Sequence, residues 1–153
     1  VPMQAIRQGF MLVELPGRFQ VMPGRPAVVF DVAHNPQAAG VLNENLASMG
    51  FFPETWAVLG MLGDKDVAGV VRLLRDRVDH WLLATLPGPR GLPAARLAEI
   101  LREVGVSGDI AEYPSPASAY EVAAGRAAEG DRIVVFGSFL TVADVMAARK
   151  TPQ

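Results

Sequence analysis

The chain has no cysteine. A disulfide framework, a thiol nucleophile and a thiolate metal site are therefore excluded. No apolar run approaches the ~20 residues that span a bilayer, so a membrane partner is not expected. No block of basic residues occurs, and 14 Lys plus Arg stand against 16 Asp plus Glu. Nucleic acid is therefore not an expected partner. The two histidines, His34 and His80, lie on different segments, which argues against a dedicated zinc site. The phosphate loop G-x-x-x-x-G-K-[ST] and the dinucleotide fingerprint G-x-G-x-x-G are both missing. By neither route does this chain cradle a nucleotide's phosphates on its own. Internal repeats, low-complexity tracts and a signal peptide are not apparent. Val1 stands where a methionine would begin a chain, so we expect a piece of a longer protein.

What remains is a chain of 153 residues, 50% hydrophobic and 20% charged, suited to one globular domain with a real core. Residues 1–16 read as the tail of a preceding element, a short helix around Ala5–Gln8 and then an extended arm. The Pro and Gly of Leu15-Pro16-Gly17-Arg18 mark a joint, and residues 17–153 read as the domain proper. Strands are predicted at Phe19–Met22, Ala27–Asp31, Thr55–Gly60, His80–Thr85, Asp109–Glu112 and Arg132–Phe136. Amphipathic helices fall between them. Val67, Val70, Val71, Leu74 and Val78 share one helical face, as do Leu97, Ile100, Leu101 and Val104. This alternation predicts an α/β fold with a mostly parallel sheet covered on both faces. Right-handed crossovers then bring the strands' carboxyl ends to one edge, where ligands bind in such sheets.

Three polar clusters fall at that edge. The first is Asp31, His34 and Asn35, where Asn35 suits a helix N-cap and Pro36 the first helical position. The helix end adds positive character beside His34 and favours a carboxylate or phosphate. Asn35 read blandly is only a cap, and Asp31 only an acceptor for backbone N–H groups. The second cluster is Gly60-Met61-Leu62-Gly63-Asp64-Lys65-Asp66. Asp64 or Asp66 caps the following helix, while Lys65 sits against the dipole preference, a placement that suggests a functional reason. A solvated lysine is the alternative. The third is Gly137-Ser138-Phe139, where a hydroxyl and backbone N–H groups suit a carboxylate, against a turn serine bonded to its own backbone. Thr141 to Asp144 resembles a capping box. Arg90, in Pro87-Gly88-Pro89-Arg90-Gly91, either reaches the ligand edge or belongs to a rigid loop. His80 reads as a partly exposed structural histidine, and Arg72/Asp76 and Arg75/Asp79 as i,i+4 pairs on a solvated helix face.

Five segments in order carry a family resemblance: Leu15-Pro16-Gly17-Arg18-Phe19-Gln20, Phe30-Asp31-Val32-Ala33-His34-Asn35-Pro36, Gly60 to Asp66, Gly88-Pro89-Arg90-Gly91 and Gly137-Ser138-Phe139-Leu140-Thr141-Val142. With them the chain resembles the C-terminal, Rossmann-like domain of bacterial dihydrofolate synthase/folylpolyglutamate synthase, within the Mur ligase superfamily. The resemblance implies an enzyme with a further, N-terminal ATPase domain of the same polypeptide. That enzyme uses ATP and Mg2+ to turn a folate-type carboxylate into an acyl phosphate, which the amine of L-glutamate attacks. It implies ATP-contacting roles for Arg18 and Asp31, and glutamate-contacting roles for His34, Lys65 and Ser138. Asn35 and Arg90 stand behind these contacts. Val32 replaces a frequent glycine of the family. No catalytic residue and no metal ligand is assigned to this chain alone, which is expected to be inactive, monomeric and cytoplasmic. Two alternatives stay open: a non-catalytic binding module, and a Mur-type cell-wall ligase domain. By resemblance only, His34-Asn35-Pro36 favours folate over the latter.

Overall fold

The computed structural model describes residues 19–150, the side chain of Lys150 excepted. The expected helix around Ala5–Gln8, the joint and Arg18 lie outside the described residues. Chain order is β1 (Gln20–Met22), β2 (Ala27–Asp31), α1 (Pro36–Ser48), β3 (Thr55–Leu59), α2 (Val67–Leu74), β4 (His80–Ala84), α3 (Ala94–Glu103), β5 (Asp109–Tyr113), α4 (Pro116–Arg126), β6 (Arg132–Phe136) and α5 (Phe139–Lys150). The strands form one sheet in the order β1-β2-β6-β3-β4-β5. β1 runs antiparallel to β2 and the other pairings are parallel. This is the α/β architecture expected, and each predicted strand is found with ends shifted by at most one residue.

Side-chain alternation along the strands feeds two cores. Val29, Ala57, Leu59, Trp81, Leu83, Val134 and Phe136 pack on α1, α2 and α3. Val28, Phe30, Trp56, Val58, Leu82, Ile133 and Val135 pack on α4 and α5. β6 is therefore a point of divergence. Its chain leaves toward one face, while its neighbours β2 and β3 both lead to helices on the other. A crevice opens between the departing loops, as at the switch point of any doubly wound sheet.

Two expectations for α2 need correction. The apolar spacing extends to Val78, but the helix ends at Leu74. Asp76 and Asp79 thus lie beyond it, and the pairs Arg72/Asp76 and Arg75/Asp79 do not form. Instead the Arg75 guanidinium donates to the Val104 carbonyl, and Asp79 accepts from the Thr55 amide at 2.8 Å. His80, at the opposite end of the sheet from the three clusters, stacks on Trp56 with ring centroids 3.8 Å apart. Its Nδ1 meets Asp109 at 2.9 Å and its Nε2 meets Glu54. Burial pulls the imidazole pKa down, but hydrogen bonds to Glu54 and Asp109 and their charges outweigh it, and the net direction is upward.

Candidate functional site

The loop after β2 is ordered by its own polar groups. Asp31 is 9% exposed, and its Oδ1 accepts from the Ala33 amide at 2.8 Å. His34 Nδ1 lies 2.9 Å from the Val32 carbonyl. A carbonyl only accepts, so Nδ1 carries the proton and Nε2 is left for another partner. Asn35 Oδ1 accepts from the Ala38 amide at 2.8 Å, and Pro36 opens α1. The cap was legible from sequence because both residue types suit consecutive positions of one helix start.

The loop after β3 turns back on a second loop. The Gly63 amide donates to the Arg90 carbonyl at 2.7 Å, and the Leu92 amide to the Met61 carbonyl at 3.0 Å. The Arg90 guanidinium holds Asp64 at 2.9 Å. That hydrogen bond is the main reason the Asp64 carboxyl lies below the usual range. Arg90 thus buttresses this loop and does not line the hollow described next. Asp66, not Asp64, caps α2, accepting from Gly69. Lys65 stands before the cap, outside the helix, and its ammonium makes no hydrogen bond or ion pair among the described residues.

The loop after β6 is the tightest. Gly137 takes φ +114. Ser138 is 6% exposed; its Oγ accepts from the Leu140 amide at 3.1 Å, and its carbonyl accepts from Val142. Ser138 therefore starts α5, and the capping box expected at Thr141 and Asp144 does not form. The helix begins at Phe139, ahead of Thr141. Thr141 is fully buried and donates to the Gly60 carbonyl at 2.8 Å. Asp144 accepts from Ala117 at the start of α4.

These loops enclose a hollow of about 270 Å3 lined by Val32, His34, Leu62, Lys65, Ser138 and Leu140, with Gly137 and Phe139. An imidazole, an ammonium, a hydroxyl and the positive end of α5 meet there, a setting that favours a carboxylate. A second hollow of about 420 Å3 holds Asp31 together with Phe19, Val41 and Asn45, and it shares Val32 and His34 with the first. The segment after β2 is thus a wall between two compartments. Sequence reasoning gave no role to the apolar members Leu62 and Leu140, whose only signal was their place within the segments Gly60 to Asp66 and Gly137 to Val142. A larger hollow, about 610 Å3, lies beyond Leu140 between the ends of β4 and β5 and α5, and none of the expected site residues lines it. Among the described residues no three His, Asp or Glu side chains converge as metal ligands.

Comparison with known proteins gives consistent matches. The family model "Mur ligase, glutamate ligase domain" matches residues 17–139. The dihydrofolate synthase/folylpolyglutamate synthase of Escherichia coli K12 is 44% identical over 142 residues, covering 93% of this chain and 32% of that protein. A bifunctional folylpolyglutamate synthase/dihydrofolate synthase solved with Mn, AMPPNP and L-glutamate bound superposes with a TM-score of 0.81 at 45% identity, covering 97% of this chain and 35% of that one. The E. coli FolC structure with DHPP and ADP gives a TM-score of 0.82 at 42% identity, covering 99% and 36%. The chain spans about a third of the length of the curated relatives it matches.

Proposed function

The chain belongs to the Mur ligase glutamate ligase domain family, and from that premise we propose that residues 17–153 are the nucleotide- and glutamate-clamping domain of an ATP-dependent folate ligase. The complete protein adds L-glutamate to dihydropteroate, to tetrahydrofolate or to both. The observation that carries this reading is the pair of hollows divided by Val32 and His34. In the smaller one, the Lys65 ammonium and the Ser138 hydroxyl hold a glutamate carboxylate. His34, through the Nε2 left by its bond to Val32, orients the same substrate. In the larger, Asp31 accepts from the ribose hydroxyls of ATP; Arg18, which lies outside the described residues, is assigned to its phosphates by the family resemblance.

In the reaction, the acceptor carboxylate takes the terminal phosphoryl group of ATP and ADP leaves. The glutamate amine then attacks the acyl carbon, losing a proton, and phosphate departs as the amide forms. This chain's part is to bring the amine to the acyl carbon and to exclude water from a hydrolysable intermediate. Mg2+ we assign mainly to the N-terminal ATPase domain that the family resemblance implies. This chain alone does not turn over. Among the described residues no helix is long and apolar enough to cross a membrane, and a monomeric cytoplasmic enzyme is the form we propose.

The test is ADP release by the complete parent protein with ATP, Mg2+ and L-glutamate, offering dihydropteroate or tetrahydrofolate, with this chain alone as control. Lys65→Ala and Ser138→Ala are expected to raise the glutamate KM, and Asp31→Ala the ATP KM. Silence of the parent with both acceptors overturns the ligase reading. An Asp31→Ala variant in which only the glutamate kinetics change overturns the division into two compartments.

A further inference from the structure

We propose that Thr141 is a positioning residue that sets the geometry of the glutamate hollow, a role that rests on the ligase reading above. The parallel ladder between β3 and β6 ends at Leu59 and Phe136, with one more bond from the Gly60 amide to the Phe136 carbonyl at 3.4 Å. Past that rung the two chains part toward opposite faces of the sheet. The hollow lies at this parting, with Lys65 on one departing chain and Ser138 on the other.

One side-chain bond crosses the parting. Thr141 Oγ1, with no exposed surface, donates to the Gly60 carbonyl at 2.8 Å, joining residues 81 apart in sequence. Two glycines make the approach possible. A Cβ on Gly60 would meet Thr141 Oγ1 at 2.7 Å, and a Cβ on Gly137 would meet the Gly60 carbonyl oxygen at 2.4 Å. The Gly60 and Gly137 backbones therefore approach each other directly, and the Thr141 hydroxyl seats on Gly60 with no Cβ in the way. The Thr141 hydroxyl spends its proton on Gly60 and does not line the hollow, so it does not bind the substrate. It fixes how far apart the Lys65 and Ser138 loops stand. Without it the Gly60 carbonyl is left unpaired in a buried place, and the loops gain freedom to separate.

The experiment uses the complete parent protein. Thr141→Val keeps the shape and deletes the donor. The glutamate KM is expected to rise about tenfold, a factor that corresponds to about 1.4 kcal/mol, with the ATP KM moving less than about twofold. Thr141→Ser keeps the hydroxyl and is expected to restore the glutamate KM. Val145→Ala removes buried bulk from the same helix and is expected to lower Tm without changing the glutamate KM. Should Thr141→Val not fold, Thr141→Cys, a weaker donor, serves in its place with a smaller rise in the same parameter. An unchanged glutamate KM in both Thr141→Val and Thr141→Cys overturns the proposal. So does an equal rise in Thr141→Ser, in Val145→Ala or for ATP. A wild-type parent without glutamate-dependent ADP release overturns the ligase reading itself, and the Thr141 role falls with it.

Discussion

Adding a single methyl group at Gly137 tests the packing at the β3–β6 parting most directly. In Gly137→Ala the new Cβ would lie 2.4 Å from the Gly60 carbonyl oxygen, 2.7 Å from Leu59 Cδ1 and 3.0 Å from Met61 Cγ. The Gly60 oxygen is a backbone atom just past the end of β3, so no rotamer change relieves that closest contact, although Leu59 and Met61 can shift their side chains. The backbone there also takes φ +114, a conformation that costs an L residue about 1–3 kcal/mol. Overpacking adds about 1–3 kcal/mol. Together about 2–6 kcal/mol is lost, a large share of the 5–15 kcal/mol typical of a whole domain. The assay is urea unfolding of the purified chain, read by the fluorescence of Trp56 and Trp81, with the midpoint shift converted at constant slope. Gly40→Ala is the paired control. It sits inside α1 with nothing within 4 Å of a new Cβ and is expected to gain about 0.5–1 kcal/mol. A loss below about 1 kcal/mol at Gly137, or shifts of the same sign at both glycines, would refute the reasoning.

Other predictions concern the two ends of the sheet. His80 has a raised folded pKa, so its contribution is fully present below the unfolded value of about 6.5. The contribution is lost as pH rises through the folded value. The stability gap between wild type and His80→Gln should therefore be wider near about pH 6 than near about pH 9 in urea titrations, and a gap independent of pH contradicts the pairing with Glu54 and Asp109. Asn35→Ala removes the bond to the Ala38 amide and should cost about 1 kcal/mol. An unchanged urea midpoint would mean that the cap does not stabilise α1.

β2, β3, β4 and β6 were legible because each is a short, largely apolar run bounded by turn residues, and the amphipathic helices between strands dictate the layering. That His34, Lys65 and Ser138 would come together at the carboxyl edge of the sheet was legible because strand ends converge in any such sheet. Thr141 was misread for a physical reason: Thr-x-x-Asp imitates a local capping pattern, while its real partner is the carbonyl of a residue 81 positions away. The pairs expected along α2 failed because helical spacing says where apolar residues cluster and not where hydrogen bonding stops. Val78 remains buried in the same core after the helix has ended. The role of Arg90 likewise depended on a loop-to-loop contact that no spacing encodes.

The borders of the sheet have a consequence for how copies of this domain meet. Among the described strands, one border is β1, three residues long. The other is β5, whose sequence Asp-Ile-Ala-Glu-Tyr exposes Asp109 and Glu112. A neighbouring chain seeking to add a strand finds too few rungs on one side and repelling carboxylates on the other. The apolar strands β2, β6, β3 and β4 are shut inside, so among the described strands the borders are a short one and an acidic one, an arrangement that disfavours edge-to-edge aggregation of native domains.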